Sequence, residues 1–321
     1  MNHPYKDFHS FSTFFSAVDT QEYLKNCYKH FDQADQKSYE NCYPFIYYLE
    51  HAQIYYDQAK QSPLLIQPIL LFYGFVHLIK ACLLTQDPNY PENTSVLAHG
   101  VTTRKRKKQQ YEFLKDEVKF QRNGLFSCML EKMFNIKNLE GDKATMNSLL
   151  QQIPELNPLF NQLEQRNTFI DINYHQQVFT FPKEILDYFH MTENRFIDYI
   201  QANSSNNLLY RSSTSNSILF DESGQSHDFS LLKFNLLEGS YCFPVLKDSF
   251  FPFPEMVSHY LILFNLSMIA RYETEWWSEL LKTMPNKDYP FIVQFLSITS
   301  QKGPFLAYQY LVDKRSSNPY L

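Results

Sequence analysis

The sequence predicts a mainly α-helical globular protein with a small antiparallel β insertion, which is a helix-dominated α+β fold. Apolar residues recur at alternating steps of three and four from Cys42 to Ala59, which places them on one helical face. The segments Ile69–Leu84 and Glu255–Arg271 are apolar runs too long for single strands. Period-two alternation, typical of half-buried strands, is confined to short segments. The 321 residues, 44% of them hydrophobic, supply enough apolar surface for such a core.

The first half of the chain carries the best-defined helices. One helix is capped at Ser38, or at Asn41 if Pro44 lies in its first turn. It ends near Gln61, because Ser62 and Pro63 restart a helix as N-cap and N1 residues. The central helix follows over Ile69–Leu84 and is the most apolar segment of the chain. We expect it to lie in the core.

A connection rich in cations follows the central helix. Residues 94–110 contain Gly100 and the run from Arg104 to Lys108, and we expect an exposed basic loop there. Its length is typical of a functional surface. The alternation over Glu117–Gln121, followed by Asn123-Gly124, predicts a β-hairpin.

The second half combines a β-rich segment with further helices. A low-complexity stretch, Asn203–Ser217, borders strand-like runs that predict a small antiparallel sheet between Leu208 and Phe243. We therefore expect three parts: a helical domain over residues 1–202 with the central helix and the basic loop, a β-rich insertion over 203–250, and C-terminal helices over 251–321 that pack back on the first domain.

Composition excludes several function classes. The seven glycines lie at least 15 residues apart, so the paired glycines of dinucleotide folds, phosphate loops, kinases and hydrolase elbows are absent. Five scattered cysteines fit neither a disulfide framework nor zinc ligation, and we predict no metal and no cofactor. A net charge of -5 argues against specific DNA binding and restricts any polyanion site to a local patch.

Two features predict a cytoplasmic protein without a membrane span. The N-terminal residues show no apolar signal-peptide core. The apolar run Ile69–Leu84 contains His77 and Lys80 and is shorter than the 18 or so residues that a span requires.

The strongest candidate binding segment follows the central helix. Its like charges repel one another, so an anion would be favourable there, and the neighbouring threonines could add directional contacts to a phosphate. A solvated loop, a nucleotide or phosphate site, docking to an acidic protein and binding of RNA stay open as interpretations. The candidate residues are His99, Thr102, Thr103, Arg104, Lys105, Arg106, Lys107 and Lys108.

A second candidate site lies on the central helix, where His77 and Lys80 are three residues apart and share a face. Burying a lysine without a partner is costly, so Lys80 must either reach solvent past its own methylenes or pair with a carboxylate, and we expect the pairing. The candidate partners are Glu50, Glu273 and Glu275, with His51 also nearby in the preceding helix. The alternative is that His77 and Lys80 line a cleft.

Arg271 is a third candidate, at the end of an apolar helix. One interpretation is a helix cap that packs by cation–π contact on Trp276 or Trp277. The other is a guanidinium directed at a phosphate or carboxylate.

Two stretches resemble the YaaC-like family of Firmicutes proteins: PLLIQPILLFYGFVHLIKACLLTQDPNYPENTSVLAHGVTTRKRKKQQYEFLKDEVKFQRNGLF (63–126) and HYLILFNLSMIARYETEWW (259–277). The resemblance covers nearly the whole chain and implies a cytosolic, mainly helical protein without an assigned enzyme activity. Relatives are commonly encoded near the gene for IMP dehydrogenase. Many carry a proline shortly after the Arg-Tyr pair, where this chain has Glu273-Thr274-Glu275.

We therefore expect a non-catalytic binding or regulatory protein that engages a partner enzyme of purine nucleotide metabolism and senses an anionic nucleotide. IMP dehydrogenase is the partner that the resemblance suggests. The alternative is a metal-independent enzyme or nuclease-like protein acting on nucleotides or RNA, with His99 or His77 as acid or base.

Overall fold

The fold is helix-dominated α+β, which confirms the predicted class. The structure, a computed structural model, describes residues 5–104, 111–137, 139–204, 207–223, 231–245 and 253–316. The α-helices are α1 (Ala17–Cys27), α2 (Ala34–Gln61), α3 (Gln67–Leu84), α4 (Leu125–Phe134), α5 (Met146–Leu150), α6 (Asn157–Glu164), α7 (Ile185–Phe189), α8 (Glu193–Asn203), α9 (Glu255–Tyr272), α10 (Thr274–Thr283) and α11 (Asp288–Ser316). Short 3-10 helices cover Phe8–Phe15, Thr94–Leu97, Phe113–Lys115 and Pro154–Leu156.

The strands form two antiparallel sheets. They are β1 (Val101–Thr103), β2 (Glu117–Phe120), β3 (Lys143–Thr145), β4 (Phe169–His175), β5 (Val178–Pro182), β6 (Leu208–Ser213), β7 (Ser217–Glu222), β8 (Lys233–Asn235) and β9 (Ser240–Pro244). The smaller sheet has the order β1-β2-β3, and the larger one has the order β6-β7-β5-β4-β9-β8.

The chain divides into two compact units. The first comprises Met1–Leu149 and Met256–Leu321, and the second comprises Leu150–Glu255. The second unit starts before residue 203 because β4 and β5 belong to the larger sheet: β5 pairs with β7, and β4 pairs with β9. Helices α7 and α8 cover this sheet and bury a phenylalanine-rich core with it.

The hairpin predicted at Asn123-Gly124 is wrong. Residues 117–120 do form β2, but Gly124 is the N-cap of α4 and has φ +136°. A Cβ at Gly124 would lie 2.4 Å from the Cα of Gly100, so two backbone segments cross there without room for side chains. Both glycines adopt positive φ, which glycine permits without steric cost. The glycine thus serves a close crossing of distant segments, and no strand follows it.

The core of the first unit is built on the packing of α2, α3 and α11 around Tyr56, which is fully buried. A Cβ at Gly74 of α3 would lie 2.8 Å from the Tyr56 ring and 3.1 Å from the Cβ of Tyr55. A Cβ at Gly303 of α11 would lie 2.6 Å from the Tyr56 hydroxyl oxygen. These two glycines let three helices approach more closely than any other residue would allow.

Among the described helices, α3 is the one with the length and apolar composition to cross a membrane. Two thirds of it is buried within the protein, and its remaining residues are partly exposed. Such burial is typical of the core helix of a soluble protein.

We predict that Gly303→Ala lowers the free energy of unfolding by about 1–3 kcal/mol, because the added methyl group overpacks the contact with the Tyr56 hydroxyl. An unconstrained helical glycine would show the opposite sign, since alanine is the better helix former. Chemical denaturation of the purified variants measures the difference.

Two further variants test whether the hydroxyl is responsible. The Tyr56 hydroxyl is buried and has no hydrogen-bond partner in the described part of the chain, so Tyr56→Phe is expected to be neutral or stabilising and to rescue Gly303→Ala. Gly74→Ala meets ring carbons instead, and Tyr56→Phe should leave it destabilised. Equal destabilisation of Gly303→Ala with and without the hydroxyl would contradict this interpretation.

Candidate functional site

Two stripes of polar and aromatic side chains face each other where α2 packs against α3. Each stripe has three residues spaced three or four apart, which places them on one face of the helix. The stripe on α2 contains Tyr48, His51 and Tyr55, and the stripe on α3 contains Tyr73, His77 and Lys80. The ring of His77 lies 5.9, 5.2 and 5.7 Å from those of Tyr48, His51 and Tyr55, respectively, with centroids as reference points. The ring of Tyr55 also stacks on that of Tyr73 at 6.1 Å.

His99 reaches the same place from the backbone crossing before β1. Its carbonyl oxygen accepts hydrogen bonds from the Tyr260 hydroxyl at 2.7 Å and from the Phe126 N–H at 3.2 Å. The imidazole ring packs 5.1 Å from the ring of Phe72 and 6.3 Å from that of Tyr73. Backbone hydrogen bonds therefore fix the segment, and the ring extends from it toward α3.

Arg271 arrives from the last turn of α9. Its Nε donates to the Ser267 carbonyl at 3.0 Å, and its Nη2 lies 3.1 Å from the Met268 sulfur. Nη1 donates to the hydroxyl of Tyr73 at 3.4 Å, which joins α9 to the stripe on α3. The guanidinium therefore contacts a carbonyl of its own helix, one turn back from Arg271.

The cation–π contact predicted for Arg271 on Trp276 or Trp277 is wrong. The guanidinium lies 5.3 Å from the ring centroid of Tyr272 instead. The indole N–H of Trp277 donates to the carbonyl of Leu65 at 2.9 Å, so that side chain is held elsewhere.

We call His77, Lys80, His99 and Arg271 the cationic cluster. All four side chains are half-buried. The structure thus brings together four residues that the sequence placed in three separate candidate sites. Tyr48, Tyr55 and Tyr73, also half-buried, pack between and beside them.

Burial and positively charged neighbours both disfavour the protonated forms of the histidines in the cationic cluster. Burial, the charge of Lys80 and the neighbouring His51 lower the pKa of His77 from 6.5 to about 4. Burial, then the charges of Arg271 and Lys80, lower the pKa of His99. Burial also lowers the pKa of Lys80. Each charged or titratable neighbour that acts on the two histidines is itself cationic or neutral, so both imidazoles are neutral near pH 7.

The carboxylate partner that we predicted for Lys80 is not found among the described residues. The Lys80 ammonium lies 5.7 Å from the ring centroid of Tyr48, a cation–π contact that does not neutralise its charge. Unpaired, partly desolvated charges are unfavourable, which makes the cluster a favourable place for an anion.

The structure describes only part of the predicted basic segment. Thr102 and Thr103 lie in β1, opposite Lys119 and Val118 of β2. Arg104 follows the strand with an exposed side chain. The remaining cations, Lys105, Arg106, Lys107 and Lys108, lie outside the described residues. The role of this segment stays a prediction.

The tyrosines are the part of the site that sequence reasoning missed. Tyr48 and Tyr55, on either side of His51, follow the period of an amphipathic helix and lie along the flank of its apolar face. On the next helix, Tyr73 lies on the same face as His77 and Lys80. These two matching stripes are the sequence pattern from which the tyrosines could have been predicted. Within the described residues, no group of three His, Cys, Asp or Glu side chains lies close enough to hold a metal ion.

Comparison with known proteins gives one match. A family model described as YaaC-like Protein matches residues 12–311, which is nearly the whole chain and includes every member of the cationic cluster. No curated protein and no solved structure matches the chain.

We predict that His77 makes stability depend on pH. Between pH 6.5 and about 4 the unfolded chain binds a proton at residue 77 that the folded chain does not. The stability associated with neutral His77 is thus present above about pH 6.5 and is lost as the pH falls toward 4. Urea unfolding at several pH values should show a steeper loss for the wild type than for His77→Gln.

The matched control is His175→Gln, which removes an exposed histidine in the other unit. It should follow the wild-type curve over the same pH range. Parallel curves for the wild type and His77→Gln would contradict the assignment.

Proposed function

The chain belongs to the YaaC-like protein family, and on that premise we propose that it is a non-catalytic regulatory protein of the cytoplasm. It binds an anionic nucleotide at the cationic cluster and engages a partner enzyme of purine nucleotide metabolism. The observation that carries the proposal is the convergence of Lys80, Arg271 and two imidazoles without a carboxylate partner for Lys80 in the described part of the chain.

Anion binding follows from the charges and their surroundings. Lys80 and Arg271 are basic side chains in a partly desolvated setting, where charge-assisted hydrogen bonds are stronger than in water. An Arg fork held by three contacts is a preorganised partner for phosphate oxygens. A bound anion would offset the mutual repulsion of the cluster.

The tyrosines support a nucleotide over a simple inorganic anion. Tyr48, Tyr55 and Tyr73 present ring surface beside the cations, and ring faces and edges are suited to contact a planar base. The combination of cations with aromatic rings is common in sites that bind nucleotides and single-stranded nucleic acid.

A row of exposed tyrosines on α2 supports the engagement of a protein partner. Tyr39, Tyr43 and Tyr47 are 71, 55 and 53% exposed and follow one another at steps of four. The rings of Tyr43 and Tyr47 contact each other at 6.0 Å. Tyrosine is enriched in protein interfaces. The same helix carries Tyr48 and Tyr55, which pack against His77 of the cationic cluster, so one helix would link ligand and partner.

We predict that Lys80→Gln and Arg271→Gln each weaken the binding of purine nucleoside phosphates by about tenfold or more, because each removes charge-assisted hydrogen bonds. Titration calorimetry at low salt measures the affinity. The control is Lys119→Gln, which removes an exposed lysine on β2 and should bind like the wild type. Unchanged affinity in both cluster variants would contradict the proposed site.

We predict that the tagged protein forms a complex with purified IMP dehydrogenase and that millimolar purine nucleotides change the amount retained. The double variant Tyr43→Ser, Tyr47→Ser should weaken the complex, and so should serine at all five positions from Arg104 to Lys108. Val18→Ser, which changes an exposed apolar residue on α1, is the control. Equal retention of all variants, or no complex at all, would contradict the partner assignment.

The alternative function is a metal-independent enzyme acting on nucleotides or RNA. The neutral imidazoles of His77 and His99 favour it, since a neutral histidine beside cations can accept a proton from a reacting group. Product formation during the nucleotide titration that is lost in His99→Ala would place the enzyme ahead of the regulatory protein.

A further inference from the structure

We propose that the cationic cluster selects a terminal phosphate monoester in its dianionic form and takes up protons on His77 and His99 as the dianion binds. The inference rests on the proposed function, because it assumes that an anion occupies this cluster. It adds the chemical class of the anion, which sets a 5′-nucleotide apart from a cyclic or internal phosphodiester.

The supply of hydrogen-bond donors at one place fits a terminal phosphate. The Lys80 ammonium makes no ion pair in the described part of the chain. Three contacts occupy N–H groups of Arg271 and leave two of its five for a ligand. The Nδ1 atom of His77 is buried, has no hydrogen-bond partner among the described residues and becomes a donor when the ring is protonated. A terminal phosphate, with several anionic oxygens on one atom, matches this supply of donors.

The fixed charges match a dianion. Lys80 and Arg271 contribute two positive charges that do not depend on the histidines. A phosphate monoester carries two negative charges above its second pKa of about 6, whereas a diester carries one. A diester offsets one of these two charges, and a dianion offsets both and so removes the repulsion that they exert on a protonated histidine.

The histidines respond to the ligand because of what surrounds them. Their protonation is opposed by burial and by the neighbouring cations. A dianion in contact with Lys80 and Arg271 cancels that repulsion and adds attraction, so the pKa of each imidazole rises on binding. The titratable or charged groups that face His77 are Tyr48, His51, Tyr55 and Lys80, and those that face His99 are Tyr73, Lys80 and Arg271. None of them is a carboxylate, so the ligand is the source of negative charge.

The experiment compares esters that differ in phosphate charge and share the rest of the molecule. Adenosine and guanosine 5′-monophosphate are titrated against their 3′,5′-cyclic counterparts, and methyl phosphate against dimethyl phosphate as a pair without a base. Calorimetry at about pH 7.5, where the monoester is a dianion, is repeated in two buffers of different ionisation enthalpy to count protons taken up. We expect the monoesters to bind at least tenfold more tightly than the diesters, with net proton uptake.

Variants separate the histidines from the fixed cations. The double variant His77→Gln, His99→Gln should still bind the monoester but without proton uptake, and the wild-type affinity should increase as the pH falls from 8 toward 7 while that of the variant stays level. His175→Gln is the control and should keep the wild-type proton count. Far-ultraviolet circular dichroism confirms that each variant is folded.

The outcomes distinguish this inference from the proposed function. Equal affinity for monoesters and diesters, or monoester binding without proton uptake, would overturn the inference and leave nucleotide binding in place. No binding of any of these anions by the folded wild-type protein would overturn both.

Discussion

The close approach of α2 and α3 at Gly74 is the constraint on which the rest of the first unit depends. A side chain at residue 74 would collide with the ring of Tyr56 on one side and the Cβ of Tyr55 on the other. Those two tyrosines are neighbours with different roles: Tyr56 faces the core and α11, and Tyr55 faces the cationic cluster. The same contact therefore sets the core packing and the 6.1 Å stacking of Tyr55 on Tyr73. Because cores are close-packed, a change in helix separation at this point would be transmitted to the cluster without any change in the cluster residues.

Much of the fold could be predicted because helical periodicity is local. The central helix was predicted over Ile69–Leu84 and is observed over Gln67–Leu84, and the apolar run ending at Arg271 forms α9. The larger sheet was harder to predict because its pairing is not local. Strand β4 pairs with β9 across about seventy residues, and no periodicity in the sequence indicates that pairing. The Asn-Gly pair at 123–124 misled for a related reason. Gly124 is required by its close contact with the backbone of Gly100 on a distant segment. Hairpin rules concern only adjacent residues and do not describe such a contact.

The site was predictable as separate residues and not as an assembly. Lys80 was identified because an apolar helix rarely carries an unpaired lysine, and Arg271 because it ends such a helix. Their proximity depends on how α3 and α9 pack, which the composition of either helix does not reveal. The tyrosines were overlooked because aromatic residues at helical spacing usually belong to a core, and with 23 tyrosines in the chain their presence carried little information. Two matching stripes on consecutive helices were the more specific signal.

The crossing of Gly100 and Gly124 has a consequence for how residue 99 can vary. The hydrogen bonds that secure this crossing are made by the main chain: the carbonyl of residue 99 receives the Phe126 amide and the Tyr260 hydroxyl. Among the described residues, the imidazole makes ring contacts with Phe72, Tyr73 and Phe264 and no hydrogen bond. The main chain of residue 99 therefore holds the crossing, and its side chain can change without loss of these hydrogen bonds. A substitution at residue 99 would therefore change the side chain that faces α3 and leave the main-chain hydrogen bonds of the crossing in place.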